Sequence, residues 1–261
     1  MQRIYWFKDV PYKSQIVPLA TILADLGDLW EQDTARRKIL RWYWCGVFGE
    51  LYGSAIESRF AKDIVEVPAW LQGGEEPSTV KDATFRADRL ETMRSRLSAA
   101  YKGVHALLMK EGARDFRSGQ PFDDTIYWDE NVDIHHVFPR RWCEHHDVAR
   151  ERYDTIINKT PLTGRTNKII GGNAPSEYLV RLEGAGSIDG NALDAHLASH
   201  VIEPDLLRSD DFDAFYAARR DALIALIERV MGKTVFRGEA VDEPEEDAIE
   251  LEDLETISEA A

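Results

Sequence analysis

Along most of the chain apolar residues return every three or four positions, the period of an α-helix with one buried face. Ile22, Leu23, Leu26 and Leu29 mark a short first helix after an extended start that ends near Pro18, because the residue before a proline is driven away from helical geometry. Residues 34–52 place Ile39, Trp42, Tyr43, Val47, Phe48 and Leu51 on a broad apolar face, with Asp33 or Thr34 as its cap. Pro68, Gly73, Gly74 and Pro77 make 61–77 a connection. A longer helix is expected over 85–110, where Leu90, Met93, Leu97, Tyr101, Val104 and Leu108 step along one side and Arg86, Arg89, Arg94, Arg96 and Lys102 form a solvated outer face. Residues 112–130 are polar and interrupted by Gly112, Gly119 and Pro121.

The period changes at Val132-Asp133-Ile134-His135, where apolar and polar groups alternate as on a strand, and Pro139 stops the run. Thr160-Pro161-Leu162-Thr163 is expected to return as an edge strand, since Pro161 has no N–H for a ladder. Between the two, a short helix anchored by Trp142 is expected. Gly164 turns the chain, and a helix starting near Thr166 carries Asn167 and Lys168 in its first turn. Short helices follow from Ser176 and around Leu193, Leu197 and Val201. The clearest helix spans 211–231, with Gly232 as its C-cap. The pattern describes a mainly α protein with one small hairpin embedded in it.

At 261 residues, with seven tryptophans, the chain can bury a substantial core. No apolar run is long enough to span a bilayer and no signal segment opens the sequence, so a cytoplasmic protein without membrane contact is expected. The first residues carry no cap or turn of their own, which suggests a piece of a longer protein. Cys45 and Cys143 cannot build a disulfide framework or a four-thiolate site, and are expected to be reduced and packed. The net charge of -15 opposes nonspecific binding to nucleic acid. Its distribution changes that conclusion. From Arg237 to the end there are eleven acidic residues and one basic residue, an acidic tail expected to be mobile, whereas His135 to Asn167 holds six basic and four acidic residues.

Chemistry concentrates in that second stretch. Adjacent His135 and His136 close the alternating run, and Asn158 and Asn167 follow nine residues apart. Neutral imidazoles, a carboxamide oxygen and a neighbouring carboxylate suit a divalent ion with open positions, the arrangement of a hydrolytic metal site. On a continuing strand the two histidines would point to opposite faces, so joint use requires the strand to end there. Residue chemistry alone leaves a structural role for these histidines equally open. The other candidates read as structural or solvated. Trp42-Tyr43-Trp44 has helical spacing suited to a core. Asp123, Asp124, Asp129 and Glu130 resemble an exposed loop. Gly171-Gly172 lacks the lysine ending of a phosphate loop, and His196 with His200 lacks the glutamate of a zinc peptidase.

His135-His136-Val137-Phe138-Pro139, with Asn158 through Asn167, resembles an HNH nuclease, and more closely the C-terminal nuclease region of GmrSD-type, type IV restriction and phage-defence proteins. Trp42-Tyr43-Trp44-Cys45, Asn167-Lys168-Ile169-Ile170-Gly171-Gly172, Pro175-Ser176-Glu177-Tyr178-Leu179, Asp210-Asp211-Phe212 and Arg219-Arg220 extend the likeness over most of 1–236. The resemblance implies a mainly α fold with a small embedded ββα-metal (HNH) element. It divides into a helical scaffold at 1–130, the HNH element at 131–180, further helices of the same domain at 181–236 and the acidic tail at 237–261.

By position, the resemblance makes His136 the general base and Asn158 the residue that braces the loop. His135 and Asn167 become ligands of one divalent ion, Mg2+ first, with Mn2+ or Ni2+ as alternatives. Residue chemistry adds Asp133, behind those ligands or joining them, and phosphate contacts from Arg165 and Lys168, with Arg140 and Arg141 as secondary candidates. The implied substrate is double-stranded DNA, including modified phage DNA. The implied partner is an N-terminal ParB-like sensing and nucleotide-hydrolysing domain or subunit, whose motif is absent from residues 1–60. Asparagine at the last ligand position, where many members carry histidine, and the lack of framing cysteine pairs are departures that bear on metal identity. Two other functions compete: a catalytically silent interaction or DNA-binding domain of a defence complex, and a metal hydrolase acting on RNA or a small phosphoester.

Overall fold

The computed structural model describes residues 4, 7–54, 56–122 and 132–238. Asp123, Asp124, Asp129, Glu130 and the tail from residue 239 lie outside the described residues.

The fold is mainly α. Its first half comprises α1 (Ile16–Leu26), α2 (Asp33–Phe48), α3 (Ile56–Leu71), α4 (Ser78–Asp82), α5 (Arg89–Thr92) and α6 (Ala99–Lys110). Strand β1 (Asp133–His136) follows, then α7 (Arg140–His145), α8 (Arg150–Tyr153), strand β2 (Lys159–Leu162) and α9 (Gly164–Ile170). The chain continues through α10 (Pro175–Gly186), α11 (Gly190–Ala198), α12 (Pro204–Arg208) and α13 (Phe212–Met231).

Helix α2 is the central strut. It packs on α13, α4 and α6, burying Trp42, Tyr43, Trp44, Cys45, Val47 and Phe48. The aromatic run is therefore core, as its spacing indicates. Close approach of α6 depends on Gly103, where a Cβ would come within 2.9 Å of Val47 Cγ1. One buried apolar cluster runs from Ile22 to Val235 and takes in Ile134, Val137, Phe138 and Leu162 of the hairpin region. Helix α13 starts at an Asp211 side-chain cap and ends at Gly232 with φ +61, the left-handed geometry that glycine adopts without strain.

The structure corrects three boundaries. Helix α1 already includes Pro18, which lies in the first turn where a missing N–H goes unnoticed. Helix α3 runs through Pro68 and covers most of the expected 61–77 connection. Burial of Val67, Pro68 and Trp70 outweighs the one hydrogen bond lost, and the chain turns only at Gly73-Gly74. The helix expected over 85–110 is two helices, because Met93 turns extended and Ser98 caps a new start by accepting from the Tyr101 N–H. That break has a use. The Met93 carbonyl accepts from the Ile156 N–H at 2.9 Å, and Arg96 reaches both the Asp133 carboxylate and the Ile134 carbonyl at 2.6 Å. Arg96 is thus a brace for the hairpin and not part of a merely solvated helix face.

Candidate active site

Strands β1 and β2 pair antiparallel, His135 opposite Thr160 and His136 opposite Lys159. A two-stranded ribbon has only edges, so Pro161 sits in β2 opposite Ile134 without cost to a further ladder. Pairing ends just after His136, where the Val137 N–H meets the Asn158 carbonyl at 2.8 Å. Beyond it, the Asn158 side chain takes over. Its Oδ1 accepts from the Phe138 N–H at 2.8 Å, while Nδ2 donates to the Phe138 and Tyr153 carbonyls at 2.9 Å each. Fully buried, Asn158 turns the chain at the point where the histidines end.

The hairpin is also held from behind by residues far away in sequence. Tyr178 donates its hydroxyl to the Val137 carbonyl at 3.0 Å. Phe212 and Phe215 pack on Phe138 with ring centroids 5.3 and 5.0 Å away. Arg219, buried in the core, donates to the His200 and Lys159 carbonyls at 2.7 and 3.1 Å. Burial without a carboxylate partner lowers its pKa to about 9.

With the strand ended, His135 and His136 both line one open cavity of about 520 Å³, together with Asn167, Arg140, Arg141 and Glu144. Asn167 arrives from α9, whose start is fixed by Thr163 accepting from the Thr166 N–H. The Asn167 carboxamide makes no hydrogen bond to the described residues. His135 Nε2 is sealed from solvent and likewise has no partner. Burial lowers the pKa of His135, with Asp133 opposing, and lowers that of His136, with Lys159 assisting and Asp154 opposing. Both rings therefore keep a lone pair at neutral pH. Unpartnered imidazole and carboxamide groups on one cavity wall fit a divalent ion. Among the described residues no three His, Cys, Asp or Glu side chains gather into a metal cluster, at this cavity or elsewhere.

The other expected residues divide. Asp133 lies outside the cavity lining, its Oδ1 taken by Arg96 and by the Ile134 N–H at 2.7 Å. Arg140 lines the cavity but pairs with Glu144 at 2.6 Å. The stem of Arg141 lies over Gly172, where a Cβ would come within 2.8 Å of it. Arg165 and Lys168 are exposed on α9, outside the lining, with no ion pair among the described residues. His196 and His200 are structural: His196 Nδ1 meets the Phe116 carbonyl at 2.9 Å, and His200 is held by Thr160 and the Arg114 carbonyl. Cys45 and Cys143 are free and buried.

Three charged residues that the sequence did not single out shape the site. Asp154 lies 3.2 Å from His136 Nε2 and 2.7 Å from Lys159 Nζ. Burial disfavours its charged form, but the hydrogen bonds from Lys159 and His136 prevail and its pKa is lowered. Glu144 completes the wall beside Arg140. Asp115, fully buried, accepts from the Thr163 and Thr166 hydroxyls at 2.8 Å each and from the Ser118 N–H at 3.1 Å, anchoring the start of the helix that carries Asn167.

Burial raises the pKa of Asp115, yet those hydrogen bonds outweigh it and leave the value below the ordinary 3.8. A depressed folded pKa contributes stability that is fully present above the unfolded value and lost as pH falls through the folded one. Asp115→Asn is expected to cost about 1.5–3 kcal/mol at pH 7, with the difference from wild type shrinking once the pH drops below about 4. Urea unfolding across that range checks it, and a pH-independent difference would contradict it.

No family model matches the chain, and no solved structure matches it. It is 33% identical over 147 residues to an uncharacterized protein of Methanocaldococcus jannaschii. The match takes in 54% of this chain and 24% of that protein, so the chain spans about a quarter of its relative's length.

Proposed function

We propose that the chain is a metal-dependent DNA endonuclease of the HNH type, hydrolysing phosphodiester bonds as the effector part of a restriction or phage-defence system. The observation that carries this reading is the meeting of His135, His136 and Asn167 in one open cavity, at a strand end pinned by Asn158. Hairpin and α9 then form the ββα-metal element. An open cavity suits a phosphodiester within a polymer better than a small phosphoester, which favours a nucleic-acid substrate over a small one.

In this proposal His135 and Asn167 hold one divalent ion, Mg2+ or else Mn2+ or Ni2+. When bound, it supplies positive charge to the phosphoryl and departing oxygens. His136 takes a proton from water, whose oxygen attacks phosphorus while the bond to the 3′ oxygen breaks; that oxygen leaves with a proton from solvent. Arg141, Arg165 and Lys168 supply the positive path for the strand, with Arg140 moderated by Glu144. In this reading the unit works beside a sensing module of the kind that the resemblance implies.

The test is nicking of supercoiled and modified phage DNA with Mg2+, Mn2+ or Ni2+. Cleavage is expected with at least one metal and is expected to stop on addition of EDTA. Cleavage that persists in EDTA would remove the metal from the proposal. The rival reading, a silent DNA-binding or interaction domain, is favoured by the small number of donors, two side chains for one ion. Tight DNA binding without cleavage under every metal would select it.

A further inference from the structure

We infer that Asp154, itself fixed by Lys159, is a positioning residue for His136: its carboxylate accepts a hydrogen bond from Nε2–H, holds the proton on that nitrogen and leaves Nδ1 as the bare nitrogen toward the cavity. The catalytic consequence rests on the nuclease reading above, while the placement of the proton does not.

Asp154 follows α8 and His136 ends β1, so the fold brings together two residues eighteen positions apart. Asp154 Oδ1 stands between two nitrogens, His136 Nε2 at 3.2 Å and Lys159 Nζ at 2.7 Å, and Arg150 Nε lies 3.9 Å from Oδ2. A carboxylate among cations accepts hydrogen bonds and donates none, so the hydrogen between Asp154 and the ring belongs to Nε2. A neutral imidazole has only one N–H, and Nδ1 is then left with its lone pair. Nδ1 has no hydrogen bond to the described residues and is not sealed from solvent. The Tyr153 ring stands edge-on with its centroid 6.1 Å from that of His136 and restrains rotation. Lys159 is only 7% exposed and directly opposite His136 across the ribbon, so the strand pairing itself sets the distance between the lysine, the carboxylate and the ring.

A carboxylate present only to satisfy Lys159 would stabilise the fold without selecting a tautomer. The two roles separate by NMR on the full chain, metal-free, with 15N in its histidine rings, at pH 8. The His136 signals are identified by their loss in His136→Gln. The wild-type ring is expected to carry its proton on Nε2, and Asp154→Asn, whose carboxamide can donate in place of accepting, is expected to shift the population toward the Nδ1–H form. In the nicking assay the same variant should lose about 10²–10⁴-fold in kcat, with KM for plasmid DNA changed by less than about twofold. Wild-type protonation at Nδ1 overturns the inference, as does an Asp154→Asn variant with unaltered tautomer and kcat. If Asp154→Asn does not fold, the wild-type spectrum alone decides where the proton sits. Failure of the wild type to cleave DNA with any of the three metals would count against the nuclease reading and leave the spectroscopic result standing.

Discussion

Replacing His136 with alanine is expected to slow metal-dependent nicking of supercoiled DNA by about 10²–10⁴-fold, the range that a positioned proton acceptor contributes. The ring is half-buried at a strand end and is not part of the main core. Its loss removes the pair with Asp154, but Asp154 keeps Lys159 at 2.7 Å, so the fold and DNA affinity should change little. A matched melting curve and DNA-binding isotherm, measured beside the rate, separate this from general damage. Equal nicking by wild type and variant would sink the assignment of His136 as the base. His135→Ala should behave differently, because its cost lies in metal affinity and is partly recovered by raising the metal concentration.

What the sequence made legible about this site is the part written in local patterns. Alternation at 132–135 and the stop at Pro139 locate the hairpin, and the helix after Gly164 brings Asn167 back to it. Its less legible parts depend on partners far along the chain. Asp154 in a polar stretch looks like any solvated acid until the fold sets Lys159 and His136 against it. Asp115 sits in a loop whose glycines suggest exposure, yet it is fully buried beneath α9. Arg96 falls in a run with helical spacing, but the helix breaks there so that Arg96 can reach β1. Pro68 illustrates the converse: a strong local stop signal is overridden by burial of the residues around it. Tyr178, Phe212 and Arg219 lie far along the chain with no local sign of a role, and the structure places all three against the hairpin or the residues that flank it.

The largest expected loss of stability comes from Asn158→Ala. The asparagine is fully buried and makes three side-chain hydrogen bonds, all to main-chain groups. Alanine leaves the Phe138 N–H and the Tyr153 carbonyl without these partners, and leaves the Phe138 carbonyl with only the Cys143 thiol at 3.6 Å. Each buried group stranded in this way costs about 1–3 kcal/mol, so a total of about 3–5 kcal/mol is expected. For a chain of this size that lowers the melting temperature by about 6–20 °C. Asn158→Asp tests the argument more closely, because shape is kept while both donated bonds are lost and a charge is turned toward two carbonyls; its destabilisation should match or exceed that of alanine and ease on acidification as the carboxyl regains a proton. The turn that Asn158 holds is also what ends β1 at His136, so the surviving folded fraction of either variant should lose nicking activity as well. A variant of wild-type stability would mean that water replaces the carboxamide, whereas a destabilised variant with full activity per folded molecule would show that the histidines are placed by the remaining packing of Phe138 and Tyr178 alone.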